Sequence, residues 1–207
     1  MERENCWNSY SENELEELEK LNDDYRAFLD KGKTERECVK ETIRQAKEAG
    51  YKDLQNIIKN GKKLKAGDRV YCSYMDKSIV LFNIGKEPIE EGMNILGAHI
   101  DSPRLDIKQN PLYEETEIAY LDTHYYGGIK KYQWVTIPLA IHGVVVKTNG
   151  NKIDIVIGED EKDPVLFISD LLIHLAQTQL EKKGAKVIEG EDLNIIIGNK
   201  PLKGEEK

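Results

Sequence analysis

The 207-residue chain has little sulfur and few heavy aromatics: three cysteines, three methionines, two tryptophans and three phenylalanines, with only four histidines. Cys6, Cys38 and Cys72 are far apart, odd in number and in no CxxC pair. Neither a disulfide framework nor a thiolate-held zinc is therefore suggested, and a reducing compartment fits. Long apolar runs are missing as well. The most apolar stretch, residues 137–146, is too short to span a bilayer and carries His142. Residues 1–10 are polar where a secretory signal has an apolar core. The expected location is the cytoplasm, with no membrane partner. Basic charge falls short too: 30 Lys and Arg against 38 Asp and Glu leave a net charge of −8. No broad phosphate-neutralising face is expected, and nucleic acid is not the expected partner. No HExxH occurs, which excludes a single-zinc site of the thermolysin type on this chain.

What is present suffices for a globular core, since 39% of the residues are hydrophobic and 33% charged. Ser11 with Glu14 makes a capping box, and Leu15, Leu18, Tyr25, Phe28 and Leu29 recur at helical spacing until Gly32. Thr34 with Glu37 repeats the pattern for a second helix through Val39, Ile43 and Ala46, closing at Gly50, and a shorter piece follows through Leu54, Ile57 and Ile58. The period then changes. Val70, Cys72 and Tyr74 alternate, while 79–84 and 93–98 are short apolar runs between turn signals and are expected as strands buried on both faces. Helices followed by apolar strands predict an α/β or α+β layered domain.

After Asn110-Pro111 the texture shifts, with Tyr120, Tyr125, Tyr126, Tyr132 and Trp134 crowding one segment. That segment reads as a hydrophobic loop or as an oligomer interface. Two β-branched runs, 139–146 and 153–157, flank Asn149-Gly150 and predict a hairpin. Ser169 or Asp170 could cap a helix through Leu172, Leu175, Ala176 and Leu180 to Gly184, and 193–197 reads as a closing strand. The small first sheet raises the expectation that the chain is the front part of a longer protein.

Chemistry is concentrated in Gly97-Ala98-His99-Ile100-Asp101-Ser102-Pro103-Arg104. Two residues apart at the end of an extended run, His99 and Asp101 point the same way. One imidazole nitrogen can then ligate a metal while the carboxylate takes the proton on the other and fixes the tautomer. A histidine hydrogen-bonded in a turn for structural reasons is the competing reading of that triplet.

The longer run GAHIDSPRLDIKQNPLY, 97–113, together with Tyr126-Gly127-Gly128 and Asp163-Pro164-Val165, resembles the M18 family of zinc aminopeptidases, in its prokaryotic aminopeptidase 1 branch. The resemblance implies the front part of a zinc-peptidase α/β sandwich domain, residues 1–109, followed by an inserted β-rich dimerisation domain, residues 110–207. It further implies Zn²⁺, two divalent metals per complete site, His99 as a metal ligand and Asp101 as the catalytic-site acid that orients it. Peptides are the implied substrates, hydrolysed at the N-terminal residue by a metal-activated water, and homo-oligomers form through the inserted domain. His174 stands where such enzymes place a histidine that reaches a neighbouring subunit's substrate, although a helix histidine buried in its own domain is equally open. After Trp134 the chain reads Val135-Thr136-Ile137-Pro138 where aspartyl aminopeptidases tend to carry a charged pair. A preference for acidic residues is therefore not implied.

The family's bridging aspartate, glutamate pair and last histidine have no counterparts here. The adjacent pairs Glu16-Glu17, Glu90-Glu91, Glu114-Glu115 and Glu205-Glu206 are expected to be solvated and are assigned no role. His142 reads as a packed strand histidine, and His124 as a loop residue without a ligand partner. The chain alone is expected to be inactive. Two other readings stay open: a non-catalytic oligomerisation or binding module derived from such an enzyme, and another two-metal hydrolase such as a deacylase.

Overall fold

A computed structural model describes residues 3–200, and the Glu205-Glu206 pair and charged tail lie outside them. The chain divides into two compact units, one ending at Asp101 and the other beginning at Ser102.

The first unit opens with α1 (Glu12–Lys31), α2 (Glu35–Glu48), β1 (Lys52–Asp53) and α3 (Leu54–Lys59). The α1 start is the expected capping box: the Ser11 amide donates to Glu14 Oε2 at 2.8 Å, and the Glu14 amide donates to Ser11 Oγ. At its end the Gly32 amide donates to the Phe28 carbonyl. A β-carbon on Gly32 would stand 2.7 Å from Cys38 Sγ, so a larger residue here would force the buried Cys38 to shift. Thr34 caps α2 by accepting from the Glu37 amide. Cys38, Val39 and Ala46 are buried from α2 and Val70 and Tyr71 from β2 (Arg69–Tyr74), which lies between β1, parallel to it, and β3 (Ser78–Asn83), antiparallel.

Two expectations fail in this unit. Strand β3 forms, but Val80, Leu81 and Phe82 are exposed rather than buried on both faces. No strand forms over 93–98: the backbone from 92 to 103 belongs to no regular element, Ile95 is 84% exposed and Leu96 fully so. Strand propensity is realised through ladder partners and a buried face, and among the described residues β3 pairs only with β2.

The second unit holds a three-stranded antiparallel sheet in the order β4 (Arg104–Glu115), β5 (Ile118–Tyr126), β8 (Ile195–Gly198), and the hairpin β6 (Ile141–Val146) with β7 (Lys152–Ile157). Val135, Leu166, Ile168, Ile188, Leu193 and Ile195 form its core. Thr123 is buried with its polar groups satisfied: Oγ1 donates to the Leu193 carbonyl at 2.5 Å, and its amide donates to Asn194 Oδ1 at 3.0 Å. Asn194 Nδ2 then donates to the Tyr113 hydroxyl at 3.0 Å, pinning the segment before β8 to β4.

The 139–157 hairpin forms as expected, with Gly150 at a positive φ of 83°. The helix expected over 172–184 does not. A 3-10 turn at Ile173–Leu175 and the four-residue α4 (Gln177–Leu180) take its place. Leu172, Leu175 and Leu180 are exposed and Ala176 alone of the expected stripe is buried, so no apolar face anchors a longer helix. Tyr120, Tyr125 and Tyr126, read as part of a hydrophobic loop or an oligomer interface, lie on strand β5. Two other hairpin turns use left-handed backbone without glycine: Met75 and Asp76 (φ 53° and 56°) before β3, and Thr116 and Glu117 (φ 52° and 64°) between β4 and β5. Among the described residues no helix is long and apolar enough to cross a membrane.

Candidate metal centre

His99 and Asp101 are brought together, though not by a strand end as expected. In the irregular stretch before β4, His99 Nδ1 lies 3.0 Å from the Asp101 carbonyl oxygen and 3.2 Å from its Oδ1. Both atoms are acceptors, so Nδ1 carries the proton and donates. The neutral ring then bears its lone pair on Nε2. His99's side chain is 84% exposed and Asp101's 40%. The two-residue spacing therefore produces an imidazole of fixed tautomer with an accessible donor nitrogen, an arrangement suited to a single metal bond.

It does not produce a complete metal site. Among the described residues no group of three or more His, Cys, Asp or Glu is placed to hold an ion, whereas zinc takes about three protein ligands and an open position. His99 thus fits zinc as one ligand of a set.

Chain entry into β4 is fixed by a neighbour that the sequence reading passed over. Arg104 Nε donates to Asp106 Oδ1 at 2.7 Å, and its guanidinium stacks 4.3 Å above the centroid of the Tyr126 ring. The signal was there: Arg104 and Asp106 are two apart on one strand and share a face. Further along β4, Lys108 meets Asp122 at 3.0 Å and Glu191 at 3.2 Å, and those hydrogen bonds hold its ammonium above the usual lysine range.

His174 belongs to the second unit. It sits exposed in the 3-10 turn Ile173–Leu175, with Leu171, Leu172, Ile173 and Leu175 exposed around it, and not on a helix buried in its own domain. His142 lies on β6, with Nε2 2.9 Å from Glu159 Oε1, and its side chain is largely buried, as a packed strand histidine should be. His124 lies on β5, not in a loop, opposite Asp106 and stacked on Tyr125. Of the glutamate pairs, Glu16-Glu17 on α1, Glu90-Glu91 and Glu114-Glu115 at the end of β4 are exposed, as expected.

The family model described as "Aminopeptidase I zinc metalloprotease (M18)" matches residues 28–207. A curated relative from Clostridium acetobutylicum, "Probable M18 family aminopeptidase 1", is 58% identical over all 207 residues, which cover 44% of that relative. The crystal structure of an M18 aminopeptidase from Thermotoga maritima superposes with a TM-score of 0.89 at 43% identity, over 100% of this chain and 44% of that one. A structure of the S. cerevisiae mApe1 dodecamer shares the fold, with a TM-score of 0.63 at 18% identity over 90% of this chain and 40% of that one. The chain thus spans less than half the length of these relatives.

Proposed function

Because the chain belongs to the M18 zinc metalloprotease family, we propose that the enzyme it contributes to removes the N-terminal residue from peptides, with His99 as a zinc ligand through Nε2. The observation that carries this reading is the His99 Nδ1 donor facing two Asp101 acceptors with Nε2 left open. Zinc, when bound, supplies a Lewis acid that acidifies water and polarises a carbonyl. The work of this chain's residues is narrower. Asp101 holds the proton of His99 on Nδ1 and orients the ring, leaving Nε2 to the metal. Neither residue supplies the general base.

The proposed organisation is a front portion of a catalytic domain over 1–109 and an inserted β-rich dimerisation domain over 110–207, a boundary within β4 and eight residues beyond the division of the two compact units, with copies assembling through the insert and two metals in each complete site. The two ladders of the second unit and the yeast relative's dodecamer support an assembling β-rich insert. His174 is proposed to contact substrate in a neighbouring subunit; its exposure in an exposed apolar turn supports that reach. The absence of cysteine pairs supports a cytoplasmic setting.

Taken alone, the 207-residue chain is expected to show no aminopeptidase turnover on aminoacyl amides with zinc or cobalt added, since one imidazole does not complete a zinc site. Robust, chelator-sensitive turnover would overturn that. The site itself is tested in a chimera joining this chain to the part of the C. acetobutylicum relative that it does not cover. There His99→Ala should lose bound metal, read by metal analysis, and Asp101→Asn should weaken metal affinity or turnover by about 10–100-fold. Full metal content in the His99→Ala chimera sinks the assignment. His174→Phe should lower turnover while metal content stays, and unchanged turnover removes its role.

A further inference from the structure

In the second unit a cleft of about 420 Å³ opens beside the end of β5. It is lined by Tyr125, Ile129, Lys130, Lys131 and Tyr132 and, from further along the chain, by Gly184 and Ala185. Among the described residues no acidic residue lines it. That is unexpected in a chain of net charge −8. The stretches 125–134 and 181–187 together carry Lys130, Lys131, Lys182, Lys183 and Lys186 against a single acid, Glu181. Among the described residues these lysines have no carboxylate partner, and Lys131 Nζ instead lies 5.9 Å from the centroid of the Tyr125 ring.

On the aromatic side, Tyr125 is packed against its neighbours. Tyr125 stacks on His124 at 5.6 Å between centroids, and a β-carbon on Gly190 would come within 2.8 Å of the Tyr125 ring. Gly190 therefore lets the backbone close on that ring and hold its orientation. The cleft volume is in the range of small-ligand sites, which combine a mostly apolar lining with a few placed charges. Lysine stems and tyrosine rings supply an apolar bed, and the ammonium groups supply charge at its rim.

From this we infer that the cleft binds a small organic anion, its oxyanion against Lys130 and Lys131 and its flat or apolar body against Tyr125, Tyr132 and Ile129. The oxyanion chemistry is shared by carboxylates and phosphate monoesters. The inference does not depend on the peptidase reading, and its test uses no activity.

The 207-residue protein is titrated in ¹⁵N NMR spectra with benzoate, phenyl phosphate, inorganic phosphate and benzyl alcohol. Benzoate or phenyl phosphate should shift the amides of 129–132 and 184–186 saturably, with Kd on the order of 1 mM, and the tighter of the two identifies the source. Inorganic phosphate, which lacks the apolar body, and benzyl alcohol, which lacks the oxyanion, should each bind at least about tenfold more weakly, for the alcohol the product of about two- to five-fold at each of two exposed lysines. Lys130→Ala with Lys131→Ala should weaken binding by about two- to five-fold for each lysine, with an unchanged circular dichroism spectrum. Should that pair unfold the protein, Lys182→Ala with Lys183→Ala is expected to show the same loss to a smaller degree. The inference is overturned if neither aromatic anion saturates, if removing the lysines leaves affinity unchanged, or if inorganic phosphate binds as tightly as phenyl phosphate.

Discussion

Two apolar runs of similar character, 93–98 in the first unit and 193–197 in the second, meet opposite ends. Leu193 is fully buried in a core and Ile195 is buried on β8, which pairs with β5. Ile95 and Leu96 stand in water, on backbone that joins no ladder. Both runs satisfy the local preferences of a strand. The difference lies in what surrounds them: β5 offers an edge and Thr123 and Asn194 clamp the arriving chain, while nothing among the described residues of the first unit pairs with 93–98. A strand is a property of its neighbours as much as of its sequence.

That contrast can be broken from either side. The largest effect is expected from Leu193→Ala, which empties the centre of the second unit's core and should cost about 2–5 kcal/mol in urea unfolding. A loss under 1 kcal/mol would mean that core is not cooperative. An intermediate effect is expected in the first unit at Glu41, which accepts from Arg44 Nε and Nη2 at 2.8 and 2.6 Å and from Gln45 Nε2 at 3.1 Å. The Arg44 hydrogen bonds lead in holding its carboxyl down, from 4.5 to about 2. Because the folded state releases this proton more readily than the unfolded one, the stabilisation is complete above pH 4.5 and is lost as pH falls toward 2. Glu41→Gln should cost about 1–2 kcal/mol at neutral pH and flatten this part of the acid dependence, read from urea midpoints at pH 5 and pH 3. The smallest effect is expected at Leu96→Ala, within about 0.5 kcal/mol. A loss of 2 kcal/mol there would show that the run is buried in solution.

The helices were legible because their signals are local. Ser11 with Glu14, Thr34 with Glu37 and the stop at Gly32 each act within a few residues, and all three stand where the spacing put them. Hairpin β6–β7 was legible for the same reason, its Asn149-Gly150 turn lying between β-branched runs. What misled was the apolar run without a partner, since 93–98 and 172–180 carry burial signals that the described chain does not satisfy. Within the candidate metal centre, the spacing of His99 and Asp101 gave their contact. It did not give the second acceptor, the Asp101 carbonyl, because backbone direction in an irregular stretch is not written in side-chain type. Nor did it give the basic cleft, whose walls lie some fifty residues apart along the chain.

The glycine-free turns at Met75-Asp76 and Thr116-Glu117 carry a further consequence. Each left-handed residue with a side chain stores roughly 1–3 kcal/mol of backbone strain, so these bends resemble sprung latches kept shut by the ladders beside them. If the β2–β3 pairing frays, the strain at Met75 and Asp76 favours opening at that tip, and limited trypsin digestion is expected to cut after Lys77.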